Sequence, residues 1–133
     1  MASATIDQAY GTFILGKVAV TALIGTRFYY VEAPQKVAYP YGTYQVISDP
    51  HMPFAFGDEL AGQVRIQTNV FHTDRYSALS ICDTIRDQVH LDPGAWDSVV
   101  IHSAMASGTI VRKDPSIDVY HAMFDIIVVY RDV

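Results

Sequence analysis

Cysteine is almost missing from this chain: Cys82 is the only one in 133 residues. No intrachain disulfide can form, and cysteine-rich zinc sites are excluded. Charge is also scarce. Asp, Glu, Lys and Arg make up 17% of the residues, against roughly 25% of an average soluble domain. No run of Lys or Arg occurs, and 9 basic against 14 acidic residues leave a formal charge of −5. A DNA-binding module needs a basic patch to hold phosphates, and the sequence offers none. A mildly acidic surface repels phosphates instead. Apolar runs fall far short of the roughly 18 residues a transmembrane helix requires. No basic segment precedes an apolar stretch near Met1, so a signal peptide is not expected and the compartment should be cytoplasm-like.

What is abundant is apolar and aromatic. Half of the residues are hydrophobic, with one Trp, nine Tyr and six Phe. The length predicts a single domain over residues 1–133. So little charge leaves much aromatic surface in contact with water. Large apolar patches mark interaction sites, and Tyr is enriched in interface centres. An oligomer is expected.

Residues 3 to 15 read as a helix, with Ser3 or Thr5 as cap, Asp7 in the first turn, and Ile6, Ala9, Tyr10 and Phe13 on one face. Gly11 and Gly16 weaken it by about 1 kcal/mol each relative to Ala. A second short helical turn spans Val18 to Ile24 and stops at Gly25. Phe28 to Val31 and Tyr41 to Ser48 read as strands, joined by an irregular stretch with Pro34 and Pro40. Asp49 to Gly62 reads as a long loop, rich in Pro and Gly yet carrying Met52, Phe54 and Phe56. Gln63 to His72 alternates cleanly, with Val64, Ile66, Thr68 and Val70 on one side. Thr73 or Asp74 caps a helix to about His90, whose stripe is Ala78, Leu79, Cys82, Ile85 and Val89. The last forty residues form one long hairpin, 98–112 against 117–131. The final strand is apolar on both faces, as in a central strand or one covered by a neighbour. The predicted fold is α+β: an antiparallel β-sheet with two main α-helices packed on one face.

Chemistry is sparse. No phosphate loop, dinucleotide turn, nucleophile elbow or zinc-protease His pair occurs. His51, His72, His90, His102 and His121 are scattered. His72 and His90 bracket a helix and lie about 25 Å apart at 1.5 Å per residue. Cys82 sits on an apolar stripe, where burial blunts a thiol. Asp58 and Glu59 suit a solvated loop tip, and Asp114 and Asp118 a turn. No catalytic residue, metal site or cofactor is expected. The candidate contact residues are Met52, Phe54 and Phe56 of the loop, with Phe28, Tyr29 and Tyr30 of the first strand.

The order of segments carries a resemblance. A helix ending in VTALIGTRFYY is followed by APQKVAYPYGTYQVIS, a loop, and VRIQTNVFHTDRYSALSICDTIRDQV. Gly25, Arg27, Phe28 and Tyr29, then Ala33, Pro34, Pro40 and Tyr41, fall where the tail-terminator or tail-completion family of long-tailed phages and gene transfer agents has them. Phe28 departs from the family's more frequent Ile. The resemblance implies a hexameric ring that caps the tail tube and stops its polymerisation. Implied partners are copies of itself, the tail tube protein and the head-neck connector protein, with DNA passing through the hole unread. The implied location is the virion tail, assembled in the bacterial host cytoplasm, with no membrane. Rival readings are a head-completion or neck protein, or a small α+β ligand-binding protein or enzyme with an aromatic-lined pocket. A closed ring needs two different apolar patches on each copy, one complementary to the other. The C-terminal hairpin or the first strand could supply a pairing edge.

Overall fold

A computed structural model describes residues 6–48, 54–56, 59–90, 94–96, 99–115 and 118–132. The chain opens with α1 (Ile6–Leu15), which buries Ile6, Ala9, Tyr10, Gly11 and Ile14 and keeps Asp7 in its first turn. The expected caps Ser3 and Thr5 lie outside the described residues. α2 (Val18–Ile24) follows after Lys17 and ends at Gly25, whose φ of 60° and N–H to the Thr21 carbonyl close the helix. That left-handed φ costs glycine nothing.

β1 (Phe28–Tyr30) pairs parallel with β2 (Tyr41–Ser48), Phe28 opposite Gly42 and Tyr30 opposite Tyr44. For this one pair the structure corrects the expected antiparallel sheet, while the α+β class stands. The cause is the Pro-bearing stretch 31–40, which acts as a crossover ribbon and returns the chain in the same direction. The Arg27 guanidinium ties down its far end by donating to the Pro40 carbonyl at 2.9 Å.

A second correction concerns residues 49–62, read above as a loop. β3 (Phe54–Phe56) pairs antiparallel with the start of β4 (Glu59–His72), Phe54 opposite Ala61 and Phe56 opposite Glu59. The residues between are Gly57 and Asp58, a pair typical of tight hairpins, and their signal was outweighed by the surrounding Pro and Gly. β4 is therefore longer than the alternation suggested.

α3 (Arg75–Val89) begins at Asp74, whose carboxylate accepts from the Ser77 N–H at 2.9 Å. It buries Ala78, Ile81, Cys82, Ile85 and Val89; Ile81, rather than Leu79, completes the stripe. β5 (Gly94–Trp96) is a short strand not anticipated from the sequence. β6 (Val99–Ala106) and β7 (Ile110–Asp114) together form one arm of the expected hairpin, and β8 (Val119–Asp132) is the other. Ala106 pairs with Ile126 and Ile110 with Met123, so Ser107 to Thr109 bulge out of the ladder.

The eight-stranded sheet runs β1-β2-β4-β8-β6-β5, with β3 on the end of β4 and β7 on the start of β8. One face is the core: Val64, Ile66 and Val70 of β4, Ala122, Phe124, Ile126 and Val128 of β8, and the buried sides of α1 and α3. Tyr10 lies at the centre, its hydroxyl 2.6 Å from that of Thr68 and its ring against Phe28, Tyr44 and Trp96. Helices cover this face alone, as predicted.

Candidate functional site

The uncovered face is built by the side chains that alternate with the core. Antiparallel register puts Tyr41 opposite Phe71 and Phe71 opposite His121, so β2, β4 and β8 each contribute one ring to a row. Tyr39 from the crossover ribbon stacks on Tyr41 at 5.6 Å between centroids, Tyr41 on Phe71 at 5.0 Å, and Phe71 on His121 at 4.6 Å. A polar row runs beside it. Thr43 and Asn69 are buried. The Asn69 amide donates to the Thr43 hydroxyl at 3.3 Å, and its Oδ1 lies 2.6 Å from His121 Nε2. An amide oxygen can only accept, so His121 carries its proton on Nε2. Burial, with Arg112 opposite on β7, pushes the imidazole pKa down.

Farther along the same face Arg65 donates to Asp125 through Nε at 3.1 Å and through a second guanidinium nitrogen. Around this pair Met105, Ile110 and Ile127 stand exposed. A cleft of about 480 Å³ opens at the other end between the ribbon and the sheet, lined by Val31, Pro34, Lys36, Tyr39, Tyr41 and Phe71 among others. Glu32 lines it with Lys36, and no His, Cys or Ser does.

The opposite side of the molecule also presents apolar side chains. Val18 and Leu23 of α2 and Tyr76 of α3 are exposed. Leu23, Tyr76, Ser80 and Ile81 help to line a depression of about 520 Å³.

The candidate contact residues are dispersed. Phe28 is buried beneath Tyr44, so it shapes the core instead of meeting a partner. Tyr29 is half-buried on the uncovered face, opposite Thr43, and Tyr30 is exposed on the helix-bearing side. Phe54 and Phe56 are in the β3–β4 hairpin, and Met52 lies outside the described residues. The aromatic row was missed because nothing in the local sequence announces it. Tyr41, Phe71 and His121 are far apart in the chain, and only the strand register aligns them.

Elsewhere the side chains have structural work. Burial pushes the Cys82 thiol up to about 12, which keeps it protonated and unreactive. His90 Nδ1 accepts from the Ala106 N–H at 3.0 Å, and His72 Nδ1 from the Thr73 N–H at 2.9 Å. Among the described residues no group of three His, Cys, Asp or Glu could hold a metal ion, and no helix is long and apolar enough to cross a membrane.

Comparison with known proteins adds the following. The family model described as "Tail completion protein gp17" matches residues 12–131. Among solved structures, a chain of the "Virion of native gene transfer agent (GTA) particle" has a TM-score of 0.74 at 11% identity, covering 95% of this chain and 94% of that one. At that identity the likeness is one of fold. No curated protein matches in sequence.

Proposed function

The chain belongs to the tail completion protein gp17 family and is a structural component of the virion tail, and from that premise we propose that it works as a closed ring at the end of the tail tube. In this reading the ring is a hexamer, stops tube polymerisation, joins the tail to the head-neck connector and lets DNA through its hole. It performs no catalysis. The observation that carries the proposal is the uncovered sheet face. β8 is flanked on both edges yet presents Met123, Ile127 and Val129 away from the helices, and an apolar strand face without a helix calls for another surface to cover it.

The β3–β4 hairpin is assigned to the tail tube. A two-stranded ribbon is only marginally stable by itself, and this one, with Phe54, Phe56 and Leu60, pairs beyond the stretch of β4 held by β2 and β8. Met52 belongs to the same contact, while Tyr29 and Tyr30 belong to contacts with neighbouring copies. A charge of −5 without a basic run suits a passage that DNA must traverse without sticking.

Negative-stain imaging and light scattering of the pure protein, alone and with tail tube protein, test the proposal. Rings that bind tube ends are expected. A monomer at all concentrations, with tube present, overturns it; rings that bind only the connector protein would make the chain a neck component instead.

A further inference from the structure

We infer that each copy docks the Met105–Ile110–Ile127 patch of its uncovered sheet face onto the α2/α3 face of the next copy, with Arg112 of one set against Asp83 and Asp87 of the other. This rests on the ring reading above and names the two surfaces that would close it.

Three observations support the pairing. The first is that the two surfaces lie on opposite sides of one sheet. Met105 and Ile110 are 57% and 54% exposed on one side, and Tyr76 is 72% exposed on the other. Two different patches on opposite sides make a head-to-tail contact, which generates a ring when the rotation per copy closes.

The second is shape. Met105 and Ile110 stand out from the strands, Met105 beside Ile127 and Ile110 beside Met123. The facing element has a depression of about 520 Å³ lined by Leu23, Tyr76, Ser80 and Ile81. Flexible apolar side chains such as Met adapt well to hollows of this kind.

The third is charge at a matching distance. Arg112 shares the sheet face with Ile110, two residues along β7, and forms no ion pair with any side chain that is described. Two strand residues span about 7 Å. On α3, Tyr76, Ser80, Asp83 and Asp87 recur at helical spacing and share one exposed stripe. Tyr76 to Asp83 is seven residues, or about 10 Å along the helix. With Ile110 seated by Tyr76 and Ser80, Arg112 reaches the level of Asp83 and Asp87. Arg112 also faces His121 across the ladder, so among the described side chains it has no counter-ion, and a carboxylate of the next copy would supply one.

The test is a charge exchange read by sedimentation over a concentration series. Arg112→Glu, and separately Asp87→Arg, which leaves the Thr109–Asp83 hydrogen bond intact, are each expected to weaken assembly tenfold or more, and the combination of the two to restore most of it. Tyr76→Ser, at a site too exposed to matter to the monomer's own core, should weaken assembly without lowering the helix content of the monomer. If wild-type rings form and these variants assemble equally well, or if the combination fails to recover, the docking inference is overturned while the ring stands. If the wild-type chain never assembles, even with tail tube protein, the ring reading falls and this inference with it.

Discussion

Gly11 sits inside a helix, where Ala is ordinarily the better residue by about 1 kcal/mol. Here a Cβ at Gly11 would overlap the Tyr44 hydroxyl and lie 2.8 Å from its ring carbon Cζ. Tyr44 is pinned between Phe28, Tyr10 and Tyr30 and cannot step aside. Gly11→Ala is therefore expected to destabilise, by roughly 1–3 kcal/mol as overpacking does, against the sign that helix propensity predicts; urea denaturation measures it. His121 gives a second expectation. Its folded-state pKa lies below the 6.5 of a free imidazole because it is partly buried and faces Arg112. Asn69 and Phe71 of β4 also touch it, and neither carries charge. The unfolded chain thus takes up the proton first. The stability tied to this group is fully present above pH 6.5 and is lost as pH falls from there toward the lower folded value. His121→Gln should flatten that part of the pH dependence of the melting temperature between pH 7.5 and 5. An unchanged slope would show that this imidazole does not govern it.

Elements of strong period were legible in the chain itself. The alternation from Val64 to Val70, the stripe of α3 and the two-sided apolar β8 each identify one element, because burial on a single face imposes period 2 or 3.6. What escaped depends on partners distant in sequence. β3 and β5 have three residues each, too few to show a period, and they exist because β4 and β6 offer them partners. The uncovered face was signalled only indirectly, by the apolar residues on the second side of β8. The bulge at 107–109 was also invisible, and α3 holds it. Arg86 Nε donates to the Ser107 carbonyl at 2.6 Å, Thr109 donates to the Asp83 carboxylate at 2.8 Å, and the Ser107 hydroxyl accepts from the Asp125 N–H at 3.0 Å. Backbone groups freed by the bulge thus find helix side chains or a neighbouring hydroxyl. Arg86→Met keeps the length of the side chain and removes the donors. It is expected to cost about 1–3 kcal/mol, with faster amide exchange at 106–110 than in β4. Uniform exchange across both regions would mean that the clamp does not hold the bulge.

At the scale of the whole molecule, two accounts of the apolar surface compete. Every folded protein exposes apolar atoms over roughly half its surface, so a monomer could carry Met105, Ile110, Ile127, Val18 and Tyr76 in water without consequence. If instead copies cover one another, folding and association are linked, and stability rises with concentration by mass action. Over a 100-fold range that linkage approaches about 2 kcal/mol per chain. With unfolding entropy near 2.1 cal/mol/K per residue, a chain of this length then gains roughly 5–8 °C in melting temperature. The same burial should be only weakly salt-sensitive, since the apolar patch dominates and exposed ion pairs contribute little. Calorimetry at fixed scan rate across that range, in low and in high salt, separates the accounts. A melting temperature independent of concentration would mean that a single copy is already complete. A rise that persists in high salt would mean that the uncovered face of the sheet is where folding finishes.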